Sequence, residues 1–572
     1  MITKIEIKNF KKIGNIEFEL DNTVVLIGPN NSGKTTILQA LMFWKCGLDR
    51  IKEQYYKQNS KTIRTGIAIN RKDLIALPVS TSRFIWNNQV VRASKKDTKG
   101  TENVKIAIIV NGEDNGLSWS APLEFDYLNS ETIYCRPLKN ETDGTFYQID
   151  DKAFEVNISF LQPMSGISTI EDKLSLGSIN SRIGEGKTAD VLRNICYQLL
   201  YPEDSNETTG INNWNYLNAS LQNKFGVTVN KPIFNPTSGK IEMTYTENGN
   251  VLDIASSGRG FQQTLLLLSF VLSYKNNVLL LDEPDAHLEV IRQREIYELL
   301  KKFTLENKSQ LIIASHSEIV LNEASEHDKV IAVYDNKVDE INELKGKNQF
   351  KKLLTDIGWD KYYLAKTKKH ILFLEGVSDF RMLKAFAEKL EKNELLNLLD
   401  KANIHYTQNN LPKSARDIFY NLRNLLDDLS GLAIFDKLQI QIDNKETLKI
   451  IEWKNRELEN YFCFPRVLER WAKNEGVFNL FENFEDLMTE TIKENTTPAN
   501  YKNLDTDWWK TTKMSEDYLP VIFKSFYEKQ NKPNKFNKGN FYELIKFIQI
   551  NEIDIEIIEK LNAIELFLKT TD

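Results

Sequence analysis

The stretch TVVLIGPNNSGKTT, residues 23–36, is an apolar run that breaks into a glycine-rich turn and then into a helical pattern. Strand, loop and helix follow in the order a phosphate-binding loop requires, and Gly28 to Thr35 match G-x-x-x-x-G-K-[ST] over its full length. The chemistry explains the residue types. Backbone N–H groups along Gly28, Asn30, Asn31, Ser32 and Gly33, with those of the helix start at Lys34, Thr35 and Thr36, cradle phosphate oxygens. Lys34 reaches the β- and γ-oxygens, and the Thr35 hydroxyl ligates Mg²⁺. A chance glycine-rich turn is the competing reading, and the strand before it and the helix after it weigh against that.

Upstream, residues 5–9 and 16–20 read as two short strands. Downstream, residues 52–150 change character: strand-like runs at 104–110 and 121–127 alternate with Asn-Gly turns at 111–112 and 115–116, as a β-rich insertion would. A helix is expected over 191–201 and a polar strand-turn segment over 227–252. Then come a buried helix at 264–274, a buried strand at 278–281, a helix at 289–303 and a strand at 310–314, the rhythm of a parallel sheet covered on both faces. Asp282 and Glu283 stand just beyond the apolar strand, where Asp282 can hold the metal through its water and Glu283 can polarise an attacking water. His316 follows another strand's carboxyl end, where open parallel sheets bind ligands, within reach of a γ-phosphate. A solvated strand end and a structural histidine are the plainer readings of these residues taken singly.

The segment SSGRGFQQ, residues 256–263, lies before the apolar helix and the Asp282-Glu283 strand and resembles the signature motif of ABC-type ATPases. The resemblance covers residues 1–340 and implies ATP as cofactor and a homodimer. In that dimer the signature of one subunit, at a helix N-terminus, closes over the γ-phosphate held by the other. It also implies that Gln162 senses Mg²⁺ and nucleotide. The signature departs from the commoner Leu-Ser-Gly-Gly form, so within it Ser257 and Gly258 carry the match. No long heptad tract lies between the halves, as it would in SMC-like proteins.

A polar, lysine-rich stretch at 341–369 reads as a linker, and a second α/β region as residues 370–465, followed by a helical region at 466–572. Strand 370–374 runs into Glu375-Gly376-Val377-Ser378-Asp379, and strand 431–435 ends at Asp436; hard oxygen ligands at strand ends suit Mg²⁺ or Mn²⁺. These features resemble a Toprim domain. ABC ATPase followed by Toprim resembles the OLD family of ATP-dependent nucleases, found in phage-defence systems such as Gabija and retron-linked effectors. The resemblance implies a metal site from Glu375, Asp379 and Asp436, a DNA or RNA substrate, and Lys454 neutralising phosphate charge. It also implies Glu457 and Glu459 as outer or second-metal ligands; a charged helix face is the alternative for these last three residues. A companion such as a reverse transcriptase with its nucleic-acid product is a partner the resemblance offers.

One position departs from the pattern: Leu438 stands where an Asp-x-Asp pair would place its second acid, and Asp443 is the nearest substitute. A rival reading is therefore an ATPase sensor or scaffold whose Toprim-like region binds nucleic acid or a partner protein without cutting. Candidate basic surfaces are Lys366, Lys368 and Lys369, and Lys532, Lys535 and Lys538 with Phe536 and Phe541 between them. Composition bounds the rest. A chain of 572 residues exceeds one core, and a net charge of -6 excludes an all-over basic coat for nucleic acid. Four scattered cysteines fit a reducing compartment without a zinc or disulfide framework, and no apolar stretch is long enough for a membrane, so a cytoplasmic protein is expected.

Overall fold

The computed structural model describes residues 1–58, 66–94, 100–140, 142–164, 166–202, 207–324, 328–334, 337–341, 358–424, 426–438, 447–475 and 483–570. The chain divides into two compact units, Met1–Lys347 and Asn348–Asp572.

The amino-terminal unit opens with the hairpin β1 (Ile2–Phe10) and β2 (Ile13–Glu19), the buried strand β3 (Thr23–Ile27) and the helix α1 (Lys34–Gln58). Strands β4 (Ile67–Asn70), β5 (Ile106–Asp114), β6 (Leu117–Tyr127) and β7 (Thr132–Pro137) join the hairpin in one antiparallel sheet, order β2-β1-β5-β6-β7-β4. This corrects the expectation of a β-rich insertion over 52–150. Residues 52–58 finish α1, and β5 pairs directly with β1 through Ile5↔Val110 and Ile7↔Ile108. The physical reason is shared burial: alternate residues Ile106, Ile108 and Val110 join Ile5, Ile7 and the α1 residues Phe43 and Trp44 in one core.

The second sheet contains β3 with β8 (Ile158–Leu161), β9 (Val278–Asp282), β10 (Gln310–Ser315), β11 (Lys329–Tyr334) and β12 (Lys337–Glu340), order β8-β9-β10-β3-β11-β12, parallel except at β12. Every residue of β3, β9 and β10 is buried, as strands covered on both faces must be. Around it run α2 (Leu176–Gly184), α3 (Leu192–Leu200), α4 (Arg259–Ser273) and α5 (Val290–Glu306). The register pairs Asp282 with Ala314 and Ser315 with Ile27, so three strands end level and present their following residues at one edge. The two sheets are tied by Gln310. Its amide donates to the carbonyls of Ile2 (2.7 Å) and Asp21 (2.8 Å) and accepts from the Ile2 N–H (2.9 Å).

The carboxyl-terminal unit begins, among its described residues, with helix α6 (Trp359–Lys368), inside the stretch expected as linker; 342–357 lie outside the described residues. Its sheet is built from β13 (His370–Leu374), β14 (Ile404–Tyr406), β15 (Ser430–Phe435) and β16 (Leu448–Glu452), order β14-β13-β15-β16, all parallel. Between them lie α7 (Val377–Lys389), α8 (Asn393–Lys401) and α9 (Pro412–Arg423). One buried cluster runs from Leu372 and Leu432 on the sheet through Trp471 and Phe523 to Leu568, so the helices after Pro465 are built onto this sheet rather than beside it.

Candidate functional site

At the level strand ends of the first unit, Gly28 passes close to β11: a Cβ there would stand 2.2 Å from the Val333 carbonyl oxygen, a contact no side chain tolerates. Asn31 (φ 66°) and Gly33 (φ 113°) turn the loop through the left-handed region and hand it to α1. The buried Lys34 ammonium donates to the loop's own carbonyls, Gly28 at 2.8 Å and Pro29 at 2.9 Å, and burial lowers its pKa. The Ser32 hydroxyl is buried without a partner, a polar atom that calls for an explanation.

Thr35 Oγ1 donates to Asp282 Oδ1 at 3.1 Å, joining the two residues expected to share a metal. Burial, opposed by the Thr35 hydroxyl, pushes Asp282 up to about 6. Glu283 is held at φ 47°, anchored by its N–H to the Ala314 carbonyl at 2.8 Å, and its carboxylate lies 3.5 Å from His316 Nδ1. A non-glycine residue in that region costs on the order of 1–3 kcal/mol, an expense concentrated at functional sites. Asp285 is buried beside them with Oδ1 unpartnered, and burial raises its pKa. The structure thus gathers Gly28 to Thr36, Asp282, Glu283 and His316 at one edge.

Lys12, which sequence reasoning did not single out, joins them. At the β1–β2 turn its ammonium donates to the Asn31 carbonyl at 2.8 Å and to the Asn31 side chain. A lysine pair at a hairpin turn was the only signal, and nothing in it said which loop the turn meets.

Gln162 follows β8 and donates to the Gly184 carbonyl at 2.7 Å. Ser257 and Gly258 stand at the head of α4, with Gly258 its N-cap. Ser257 Oγ donates to the Ile254 carbonyl (2.7 Å) and Gln262 Nε2 to the Ser257 carbonyl (2.9 Å), which fixes the loop at the start of α4. Among the described residues, no hydrogen bond links Ser257 or Gly258 to residues 28–36.

In the second unit, Glu375, Asp379, Asp436, Glu457 and Glu459 line one pocket of about 260 Å³, with Lys513 and Lys538 on its wall. Glu375 and Asp436 leave the ends of β13 and β15; Asp379 sits in the first turn of α7, where its Oδ2 accepts the Gly376 N–H at 2.8 Å. Glu457 accepts from the Ser515 N–H (2.5 Å) and Oγ (2.9 Å). Glu459 is 4% exposed and accepts no hydrogen bond from another described residue; Glu375 Oε2 is likewise buried without a partner. Burial, reinforced by the neighbouring carboxylates, pushes Asp436 up to about 9 and Asp379 up to about 6 and raises Glu459, while burial alone raises Glu457 against the Ser515 hydrogen bonds.

Such an all-oxygen donor set suits a hard divalent cation. Among the described residues no three His, Cys, Asp or Glu side chains are gathered tightly enough to hold an ion as they stand.

Lys454 is not on the pocket wall. Its backbone N–H donates to Glu556 Oε1 at 3.1 Å, while Lys513 and Lys538, distant in sequence, occupy the wall instead. The Leu438 N–H donates to Glu452 Oε2 at 2.7 Å, and Asp443 lies outside the described residues. Phe536 and Phe541 are buried in the core, so they offer no stacking surface between the tail lysines.

Two family models match the chain: "AAA ATPase domain" over residues 1–118 and "AAA domain, putative AbiEii toxin, Type IV TA system" over residues 163–322. Similar solved structures include the SMC head domain from Thermotoga maritima, 14% identical, covering 59% of this chain and 97% of that one, TM-score 0.33. An Smc head domain from Pyrococcus furiosus with an extended coiled coil, bound to the C-terminal domain of ScpA, is 15% identical over 62% of this chain and 99% of its own, TM-score 0.35. The recombination mediator RecF is 12% identical over 59% and 98%, TM-score 0.34. No curated protein matches the chain. No helix among the described residues is long and apolar enough to cross a membrane.

Proposed function

We propose, starting from an ATPase domain of the AAA/ABC type in the amino-terminal unit, that this chain is an ATP-controlled, divalent-metal-dependent nuclease acting on DNA or RNA. The observation that carries the second half is the convergence of six carboxylates, Glu516 among them, on one pocket beside two lysines, with Glu375 Oε2 buried and without a partner. Burying this much like charge is unfavourable unless something positive joins it. A phosphodiester with its metal supplies both halves of the complement, cation for the carboxylates and anion for the lysines.

In the ATPase, Lys34 and the loop N–H groups hold the phosphates, Thr35 and Asp282 hold Mg²⁺, and Glu283, kept in place by its backbone and by His316, orients and deprotonates water. Ser257 and Gly258 close over the γ-phosphate of a second copy, so the active form is a homodimer. In the second unit Glu375, Asp379 and Asp436 hold Mg²⁺ or Mn²⁺, with Glu457 and Glu459 completing the donor set. The metal, when bound, lowers the pKa of a water and offsets phosphate charge. Lys513 and Lys538 take the charge-neutralising role first assigned to Lys454. This reading follows the resemblance of the sequence to the OLD-family nucleases with a Toprim domain, and phage defence is the setting that resemblance implies.

The test uses supercoiled plasmid and single-stranded DNA or RNA with Mg²⁺ or Mn²⁺, with and without ATP. Glu375→Ala is expected to abolish cleavage and leave ATP hydrolysis intact, and Glu283→Gln to lower hydrolysis by roughly 10²–10⁴-fold, the usual worth of a general base. Leu438, in place of an acid, favours the second reading, a scaffold that binds without cutting. Nucleic-acid binding by the parent with no cleavage under any of these conditions would establish that reading and sink the first.

A further inference from the structure

Arg193, on the first turn of α3, is 1% exposed, and a guanidinium that deep must find partners for its donors. Its partners lie on two separate segments. Nη1 donates to the Ser168 carbonyl at 2.7 Å, and Nη2 to the Thr169 carbonyl at 3.3 Å, on the loop that trails Gln162. Nη2 also donates to Asp253 Oδ1 at 3.1 Å, four residues before Ser257. The same Asp253 oxygen caps the short turn leading to Ser257 by accepting the Ala255 N–H at 2.7 Å.

The far side of the loop is tied to the same helix. The buried carboxylate of Glu171 accepts the backbone N–H groups of Arg193 (2.9 Å) and Asn194 (2.6 Å), standing in for the N-cap side chain that α3 lacks. Pro163, next to Gln162, accepts the Thr188 hydroxyl at 3.1 Å on the turn that feeds α3.

We infer that Arg193 is a positioning residue that couples the two ends of the nucleotide machinery: it locks the loop behind Gln162 to the loop that aims Ser257 and Gly258. The rigid planar fork allows neither segment to shift alone without leaving a buried donor unpaired. A movement of Gln162 on nucleotide binding is therefore delivered to the head of α4. A static strut would hold the same bonds, so the coupling has to be read as a response to nucleotide. The inference rests on the nucleotide reading of residues 28–36 and is independent of the nuclease.

The experiment is hydrogen exchange of the full chain with and without Mg²⁺-ATP, at a concentration where sedimentation shows a monomer. Peptides covering 24–36 and 253–260 are followed in the parent, Asp253→Asn and Arg193→Lys. Asp253→Asn keeps a capping oxygen for Ala255 and removes only the charge facing Arg193, and Arg193→Lys keeps the charge and loses the fork. In the parent, ATP is expected to slow exchange at least threefold in both peptides. In Arg193→Lys protection should remain at 24–36 and fall to less than half its parent value at 253–260, while Asp253→Asn, whose Oδ1 still accepts from the fork, should keep more of it. Protection at 24–36 with silence at 253–260 in the parent, or an undiminished response in Arg193→Lys, overturns the coupling alone. Silence at both overturns the nucleotide reading and the coupling with it.

Discussion

Lys12 and Asn31 touch across two turns that are 19 residues apart in sequence, and this contact makes the hairpin turn part of the nucleotide site. An ammonium that holds the outside of the phosphate loop is expected to matter more for binding than for chemistry. Lys12→Ala should raise KM for ATP about threefold to tenfold with kcat within twofold, measured by steady-state hydrolysis; equal losses in both would place Lys12 at the transition state instead. The carboxylate pocket has its own residue-scale signature. Asp379 and Asp436 titrate near 6 and 9 in the folded chain, above their ordinary range. Between those values the metal-free native state binds more protons than the unfolded chain, so stability falls as pH rises, the reverse of a salt-bridged carboxylate. Thermal unfolding in EDTA should show a midpoint dropping by several degrees from pH 6 to pH 9. Mn²⁺ should reverse the drop, and Asp436→Asn should flatten it. Residues 28–35 could be read from sequence because their neighbours in space are their neighbours in the chain. Lys12 and Lys513 could not, since each reaches its site from another element and a lone lysine looks the same whether it faces water or a pocket; Lys538 was legible as one of a basic cluster in the tail, without the pocket it joins.

Strands β3, β9 and β10 were legible because a strand buried on both faces is an unbroken apolar run. Short elements with mixed faces were not: β16 (Leu448–Glu452) and α8 (Asn393–Lys401) carry no such run and were not anticipated. The antiparallel sheet was misjudged for a related reason. Alternation announces strands at 104–127 but not that β1 is their partner, and pairing is a long-range choice made by the shared core. Gln310 shows how the elements are then locked: its single amide serves Ile2 twice and Asp21 once. Gln310→Leu should destabilise the first unit by about 3 kcal/mol or more, because two of the backbone groups it satisfies are buried and would lose their partner. Urea unfolding followed by far-ultraviolet circular dichroism measures it; a cost below about 1 kcal/mol would mean that water or a shift of β1 replaces the amide.

The two units each own a hydrophobic core, one centred on α1 with its sheets and one running from β13 to the last helix. Ligands stabilise the unit that binds them in proportion to RT ln(1 + [L]/Kd). Calorimetry should therefore resolve two transitions, with Mg²⁺-ATP raising one and Mn²⁺ alone raising the other; a single transition moved by both ligands would show the chain unfolding as one cooperative body. The Gln310 clasp also sets a timetable. The first strand of the chain waits for a residue made 308 positions later, which at about 5–20 residues per second is roughly 15 to 60 s on the ribosome. Through that interval β1 has its partners β2 and β5 but not the amide that serves Ile2, and the phosphate loop exists in sequence before it exists in shape. The carboxylate pocket, drawn wholly from residues after 370, is made later still, so the nascent chain completes the strands around its phosphate loop before it carries that pocket.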